Sequence, residues 1–208
     1  MRALVEASRE RDYPAKVALV ISNKNEARGL AFAQDAGILT CVIDNRAYET
    51  REAFEATLDE QLREHNIEFI CLAGFMRLLS PSFVEGWRDK IINIHPSLLP
   101  AFKGTHVHEQ VLKAGVRVTG CTVHFVSAQM DEGPIIAQAA VPVDFQDTPE
   151  TLESRVLEQE HRLYPHVVRL IAEGRVRVNG TQVIVENAGL PQGSLISPPL
   201  ETRVRPRN

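Results

Sequence analysis

The feature that most restricts how this chain can fold is a repeated exchange of short, β-rich apolar runs with longer stretches of helical period. KVALVIS (16–22), ILTCVID (38–44), IEFICLAGF (67–75) and KIINIH (90–95) are runs dominated by Val, Ile, Leu and Phe, the composition of strands buried on both faces. Between them lie NEARGLAFAQDAG (25–37), closed by Gly37, and TREAFEATLDEQLREHN (50–66), with Ala53, Phe54, Leu58 and Leu62 at helical spacing. SPSFVEGWRD (80–89) follows, with Ser80 suited to the N-cap and Pro81 to the first helical position. Strand, helix and strand in this order predict an α/β fold with a mostly parallel sheet and helices on both faces.

The second half changes character. VTGCTVHFV (118–126) and GPIIAQAAVPV (133–143) have β-composition and a short turn-like connection, which predicts an antiparallel edge on the sheet. Residues 148–174 have the pattern of a long amphipathic helix, expected to bend before Pro165. RVRVNGTQVIVENAG carries an Asn-Gly flanked by alternating apolar residues, a hairpin signal. One domain over residues 1–186 and a proline-rich, poorly ordered tail over 187–208 are expected.

Composition narrows the partners. The 208 residues are 44% hydrophobic and 24% charged, enough for one sizeable core. A net charge of −4, with no stretch that collects Lys and Arg without interleaved acids, argues against a nucleic-acid partner. Cys41, Cys71 and Cys121 are far apart, each inside an apolar run and without zinc or dithiol spacing, and read as reduced core residues of a cytoplasmic protein. No apolar run approaches the roughly 18 residues of a membrane span, and MRALVEASRERDYP is too polar for a secretory leader.

Chemistry concentrates in KIINIHP. A period of two puts Ile92 and Ile94 on one face of the strand, Asn93 and His95 on the other. Pro96 ends the ladder, so His95 stands at the C-terminal edge of a parallel strand, where open α/β sheets bind ligands. Such a histidine is either a satisfied structural residue or, with an amide donor beside it, a proton carrier next to a group that stabilises developing negative charge. Asp131, in MDEGP, is either part of an Asp-Gly-Pro turn or a carboxylate that favours the imidazolium form of His95; spacing does not show that they meet. His106 and His108 lie on one side of an extended HVH, but Leu112 stands where a zincin helix needs its second histidine. AGFMRLL is either core or a wall for a flat ligand, and Glu158, Glu160 and His161 on the long helix suit a solvated face. No G-x-G-x-x-G and no Walker A sequence occurs.

Taken together and in order, LAGFMRLLSPSFV, NIHPSLLPAFKGTHVHEQVLKAG, VTGCTVHFVSAQMDEGPIIAQ and LEQEHRLYP resemble the phosphoribosylglycinamide formyltransferases, folate-dependent enzymes of purine (IMP) synthesis. The resemblance runs from about residue 1 to about residue 186 and implies the Rossmann-like formyltransferase fold, an α/β, mostly parallel twisted sheet with helices on both faces and an antiparallel edge, here without the first strand. It implies transfer of the formyl group of 10-formyltetrahydrofolate, a cosubstrate, to the amine of phosphoribosylglycinamide, with no metal. By position it implies a catalytic trio: His95 as proton carrier, Asn93 as donor to the formyl oxygen, and Asp131 as the group that favours protonated His95. It also implies folate contacts from Arg51, Met76, Arg77, Leu78, Leu79, Asn93, Ser127, Ala128, Gln129, Met130 and Asp131. Ribonucleotide contacts fall to Leu157, Glu158, Gln159 and Glu160, with Glu160 accepting from ribose hydroxyls. His106, His108 and His124 become supporting residues. A cytoplasmic monomer or homodimer is expected; a formyltetrahydrofolate hydrolase and an inactive folate-binding protein are the alternatives.

The chain departs from the family at its start. Members begin with a strand and a G-x-G-S-N turn whose amides hold the substrate phosphate, whereas Met1 falls in the middle of the helix that follows, MRALVEASRE. The expectation is a start placed too far downstream or a shortened chain. That form should bind the ribonucleotide weakly and folate in part.

Overall fold

The computed structural model describes residues 1–190 and 192–199. Its elements run α1 (Arg2–Ala7), β1 (Leu19–Ser22), α2 (Arg28–Asp35), β2 (Leu39–Val42), α3 (Arg51–Glu64), β3 (Ile70–Leu72), α4 (Pro81–Gly86), β4 (Ile91–His95), α5 (Val107–Ala114), β5 (Val118–Phe125), β6 (Ile135–Pro142), α6 (Pro149–Ala172), β7 (Val176–Asn179) and β8 (Gln182–Val185). The helix boundaries follow local chemistry. The Thr50 hydroxyl accepts the Ala53 N–H to open α3, and Ser80 accepts that of Phe83 to open α4, with Pro81 at the first position. Gly37, at φ +73, closes α2. There the Ile38 N–H reaches back to Ala33 O at 2.9 Å and the Gly37 N–H to Gln34 O at 2.8 Å.

The strands pair as their connections require. β1–β2 and β3–β4, each joined through a helix, are parallel; β4–β5 and β5–β6 are antiparallel, and β7–β8 form the expected hairpin. The sheet is divided. β3-β4-β5-β6 make one mixed unit and β1-β2 a separate pair, so β1 and β3 each keep one edge without a strand partner among the described residues.

Helices cover both faces of the four-stranded unit. On one face Ile92, Val123, Phe125 and Ile136 pack with Leu4 of α1 and with Tyr164 and Val167 of α6. Farther along the same face, Cys121 and Val141 meet Val107 and Val111 of α5 and Leu152 and Val156 of α6. On the other face Ile91 packs with Leu62 of α3 and with Phe83, Val84 and Trp87 around α4. The Tyr164 hydroxyl lies 2.7 Å from Leu72 O and 3.1 Å from Ile92 O, fastening α6 to the ends of β3 and β4. Cys41, Cys71 and Cys121 are free, and burial pushes the thiols of Cys71 and Cys121 up to about 12.

Two expectations need correction. The strand foreseen over 67–75 is only Ile70–Leu72, because the chain leaves the sheet at Ala73 and turns at Gly74 with φ +69. α6 continues through Pro165 without a break. The carbonyl that loses its helical donor belongs to exposed His161, where water can replace the bond. In the expected tail, residues 187–190 and 192–199 carry neither helix nor strand, and residues 191 and 200–208 lie outside the described ones.

Candidate functional site

β4 and β5 build the polar centre from the alternation of their side chains. In register Asn93 stands opposite His124 and His95 opposite Thr122, while Ile92 faces Phe125 and Ile94 faces Val123. One face is therefore apolar and carries α6; the other presents four polar side chains in two facing pairs.

Each of the four is held by its surroundings. His95 is buried, and its Nε2 lies 2.8 Å from Phe102 O, which can only accept. Its Nδ1 faces Asp131 Oδ2 at 3.5 Å, an ion-pair separation longer than a normal hydrogen bond. Both ring nitrogens thus look at oxygen acceptors. His124 Nδ1 lies 2.8 Å from Phe125 O and donates to it, which leaves Nε2 as the lone pair facing Asn93 Nδ2 at 3.4 Å. Burial lowers the pKa of His124, partly offset by its bond to Phe125 O and by the Asp131 carboxylate, whose Oδ1 is 3.9 Å away. A neutral His124 orients the Asn93 amide, whose second N–H and oxygen have no hydrogen-bond partner among the described residues. Thr122 anchors the loop after β4: its hydroxyl donates to Ser97 O at 2.6 Å and accepts from Leu99 N and Gln138 Nε2, each at 3.0 Å.

Asp131 arrives from the connection between β5 and β6. It adopts φ +55, and its Oδ2 accepts the Gly104 N–H at 2.9 Å, which joins this connection to the loop after β4. The return to β6 passes so close to β5 that a Cβ on Gly133 would sit 1.7 Å from Phe125 O; only glycine fits there. Lys103 and Glu132 add a second tie between the two loops at 2.7 Å.

The other expected site residues fall into two places. Arg51 is the first residue of α3, its Nη2 3.5 Å from Glu52 Oε1. Met76, Arg77 and Leu78 are exposed and Leu79 buried on the segment from β3 to α4; Ala128, Gln129 and Met130 are exposed, and Ser127 half-buried, beside Asp131. Met76, Leu78 and Met130 expose 76%, 56% and 52% of their surface, more than large apolar side chains do in a closed core. Leu157, Glu158, Gln159 and Glu160 lie on α6, which packs on the face of the sheet opposite Asn93 and His95. Glu158 is exposed, and Gln159 Oε1 accepts Arg162 Nη1 at 3.1 Å. Glu160 departs from the solvated-face expectation: Leu152, Val156, Glu160 and Tyr164 form one i, i+4 stripe turned to the sheet. Burial raises its carboxyl to about 7, against the pull of the nearby N-terminal ammonium.

Sequence reading assigned His124 a supporting role without placing it. The signal was there: T-V-H-F alternates as N-I-H does, so His124 shares a face with Thr122. The Gly104 amide and the Thr122 anchor carried no such signal.

Comparison with known proteins identifies relatives of the whole chain. A formyl transferase family model matches residues 1–168. The chain is 44% identical over 167 residues to the phosphoribosylglycinamide formyltransferase of Bacillus subtilis (strain 168), covering 80% of this chain and 86% of that protein. It is 52% identical over 178 residues to the trifunctional purine biosynthetic protein adenosine-3 of Gallus gallus, covering 86% of this chain but spanning only 18% of that protein's length. The crystal structure of glycinamide ribonucleotide transformylase 1 from Symbiobacterium toebii superposes with a TM-score of 0.86 at 48% identity, over 88% of this chain and 87% of that one. By family match, identity and coverage alike, the chain belongs to the formyl transferase family.

Proposed function

We propose that this chain transfers the formyl group of 10-formyltetrahydrofolate to the amine of 5-phosphoribosylglycinamide, a one-carbon step of purine (IMP) synthesis, as a cytoplasmic monomer or homodimer. The observation that carries the reading is the meeting of Asn93, His95 and Asp131 at the end of β4. Likeness to the B. subtilis enzyme over most of both chains supports the choice of substrates.

The reaction needs three services at one carbon. The amine attacks the formyl carbon, the carbonyl oxygen takes up the electron pair, and collapse breaks the bond to the folate nitrogen. Asn93, with one amide N–H unused by His124, is suited to the oxyanion; one such donor contributes about 10²–10³ in rate. The attacking amine must lose a proton and the departing nitrogen gain one, a task for the His95–Asp131 pair. Apolar Met76, Leu78 and Met130, with Arg77, Leu79 and the 127–131 connection, suit a flat pterin, and Arg51 suits its glutamate tail. Leu157 to Glu160 suit the ribonucleotide, with Glu160 toward the ribose.

One assay tests this: folate release is followed with and without the ribonucleotide. Release only when both substrates are present is expected. Release without the ribonucleotide would make the chain a hydrolase; folate binding without release in either case would make it a binding protein.

A further inference from the structure

The proposed folate site draws on two elements distant in sequence: Arg51 from the first turn of α3, and Met76 to Leu79 from the segment between β3 and α4. A buried carboxylate joins them. Glu55 lies one turn after Arg51 on α3 and is only 3% exposed. Its Oε1 accepts the Ser80 N–H at 2.8 Å and its Oε2 accepts the Ser80 hydroxyl. Ser80 is equally buried and follows Leu79 directly. Next to Glu55, the Phe54 ring lies under the Arg77 guanidinium at 6.0 Å, so consecutive residues of α3 hold both ends of the segment.

A glutamate in this position is expensive unless both oxygens are satisfied, and an apolar side chain of similar volume would pack α3 against α4 without that cost. What the carboxylate adds is direction. Two hydrogen bonds to one residue fix the orientation of Ser80 and, through it, the course of residues 76–79 relative to Arg51.

We infer that Glu55 is a positioning residue for the folate donor: through Ser80 it sets the separation between the Arg51 guanidinium and the apolar wall, and so selects a ligand that carries a flat ring and an anionic tail at that separation. The inference rests on the folate reading proposed above.

The test compares the parent chain with Glu55→Ala, Glu55→Gln and Ser80→Ala, using formyltetrahydrofolate and a formylated pterin donor that lacks the glutamate tail. Glu55→Ala is expected to raise the KM for the tailed donor about tenfold or more. The KM for the ribonucleotide should stay within about twofold, and the preference for the tailed donor should shrink. Glu55→Gln, which keeps one acceptor at the same reach, should recover part of that preference. A merely structural role would lower the active fraction, and with it kcat, while both KM values and the donor preference stay unchanged; that result overturns the inference. If Glu55→Ala does not fold, Glu55→Gln and Ser80→Ala are read by the same criterion. A parent chain that neither binds folate nor transfers formyl overturns the functional reading and this inference together. A parent that does both, with donor preference intact in every folded variant, overturns this inference alone.

Discussion

Asn93 and His95 share a face because a strand repeats every two residues, whereas Asp131 reaches them only because two loops close on each other at Gly104. These different origins lead to different expectations on substitution. His95→Ala removes the proposed proton carrier and should lower kcat by about 10²–10⁴ with little change in either KM. Asp131→Asn keeps an oxygen for the Gly104 N–H but removes the charge facing His95, so kcat should fall while the fold persists. If the two groups serve one proton transfer, as proposed, the double variant should be little worse than the more damaging single one; additive losses in steady-state kinetics would separate their roles. Glu160 makes a prediction about stability instead. Its folded carboxyl is raised from 4.5 to about 7 by burial. Between those values the folded state holds a proton that the unfolded chain has released, so stability falls as pH rises through the window and the full penalty is present above pH 7. Glu160→Gln should therefore match the parent at low pH and exceed it by on the order of 2 kcal/mol above neutrality. Urea unfolding at both ends of the window measures this, and a difference independent of pH would refute it.

At the scale of elements, the start of α6 shows how much local chemistry decides. Thr148 and Thr151 form a reciprocal cap, and the preceding Asp147 accepts both Nη1 and Nη2 of Arg155 at 2.6 and 2.8 Å. Arg155 Nη1 also reaches Pro142 O at 2.9 Å, tying the helix to the end of β6. Arg155, then burial acting in the opposite sense, then the Asp144 N–H and the Thr151 hydroxyl set the Asp147 carboxyl at about 2. A depressed carboxylate contributes stability that is fully present above its unfolded value near 4 and is lost as pH falls through about 2. Asp147→Asn should cost about 1–2 kcal/mol at neutral pH, allowing for solvent around the partly exposed arginine, and nothing at the acid end; acid-unfolding curves of the two proteins should converge there. Features of this local kind were readable in the sequence: the Ser80 cap with Pro81, the Gly37 stop, the Asn-Gly hairpin, and the shared face of Asn93 and His95. What escaped was set by tertiary context. The apolar run after Leu72 looks like strand, yet turns out at Gly74 to expose Met76 and Leu78. The approach of Asp131 to His95 depends on a backbone amide and on a glycine that meets Phe125 O, neither of which a periodicity can reveal. Glu160 lies between: the spacing from Leu152 through Val156 to Tyr164 marks it as inward, but its charge suggested solvent.

For the whole molecule, the division of the sheet matters more than any single contact. Three hydrophobic clusters join β3 to β6 with α3, α4, α5 and α6 on the two faces of the four-stranded unit. β1 and β2 contribute only Ile21 at the border of one of them, and the segment before β1 adds Val17 to another. No strand hydrogen bonds cross between the two units among the described residues. A region joined by few buried apolar contacts and no shared ladder should open below the global unfolding free energy. Native-state hydrogen exchange should therefore find the β1 and β2 amides less protected than those of β4 and β5 by about tenfold or more, equivalent to about 1.4 kcal/mol or more in opening free energy. The polar centre lies wholly within β4, β5 and their loops, so opening of the β1–β2 unit should leave His95, Asn93 and Asp131 in register. Equal protection across all four strands would mean that the side-chain contacts of Ile21 and Val17 suffice to make the molecule open as one.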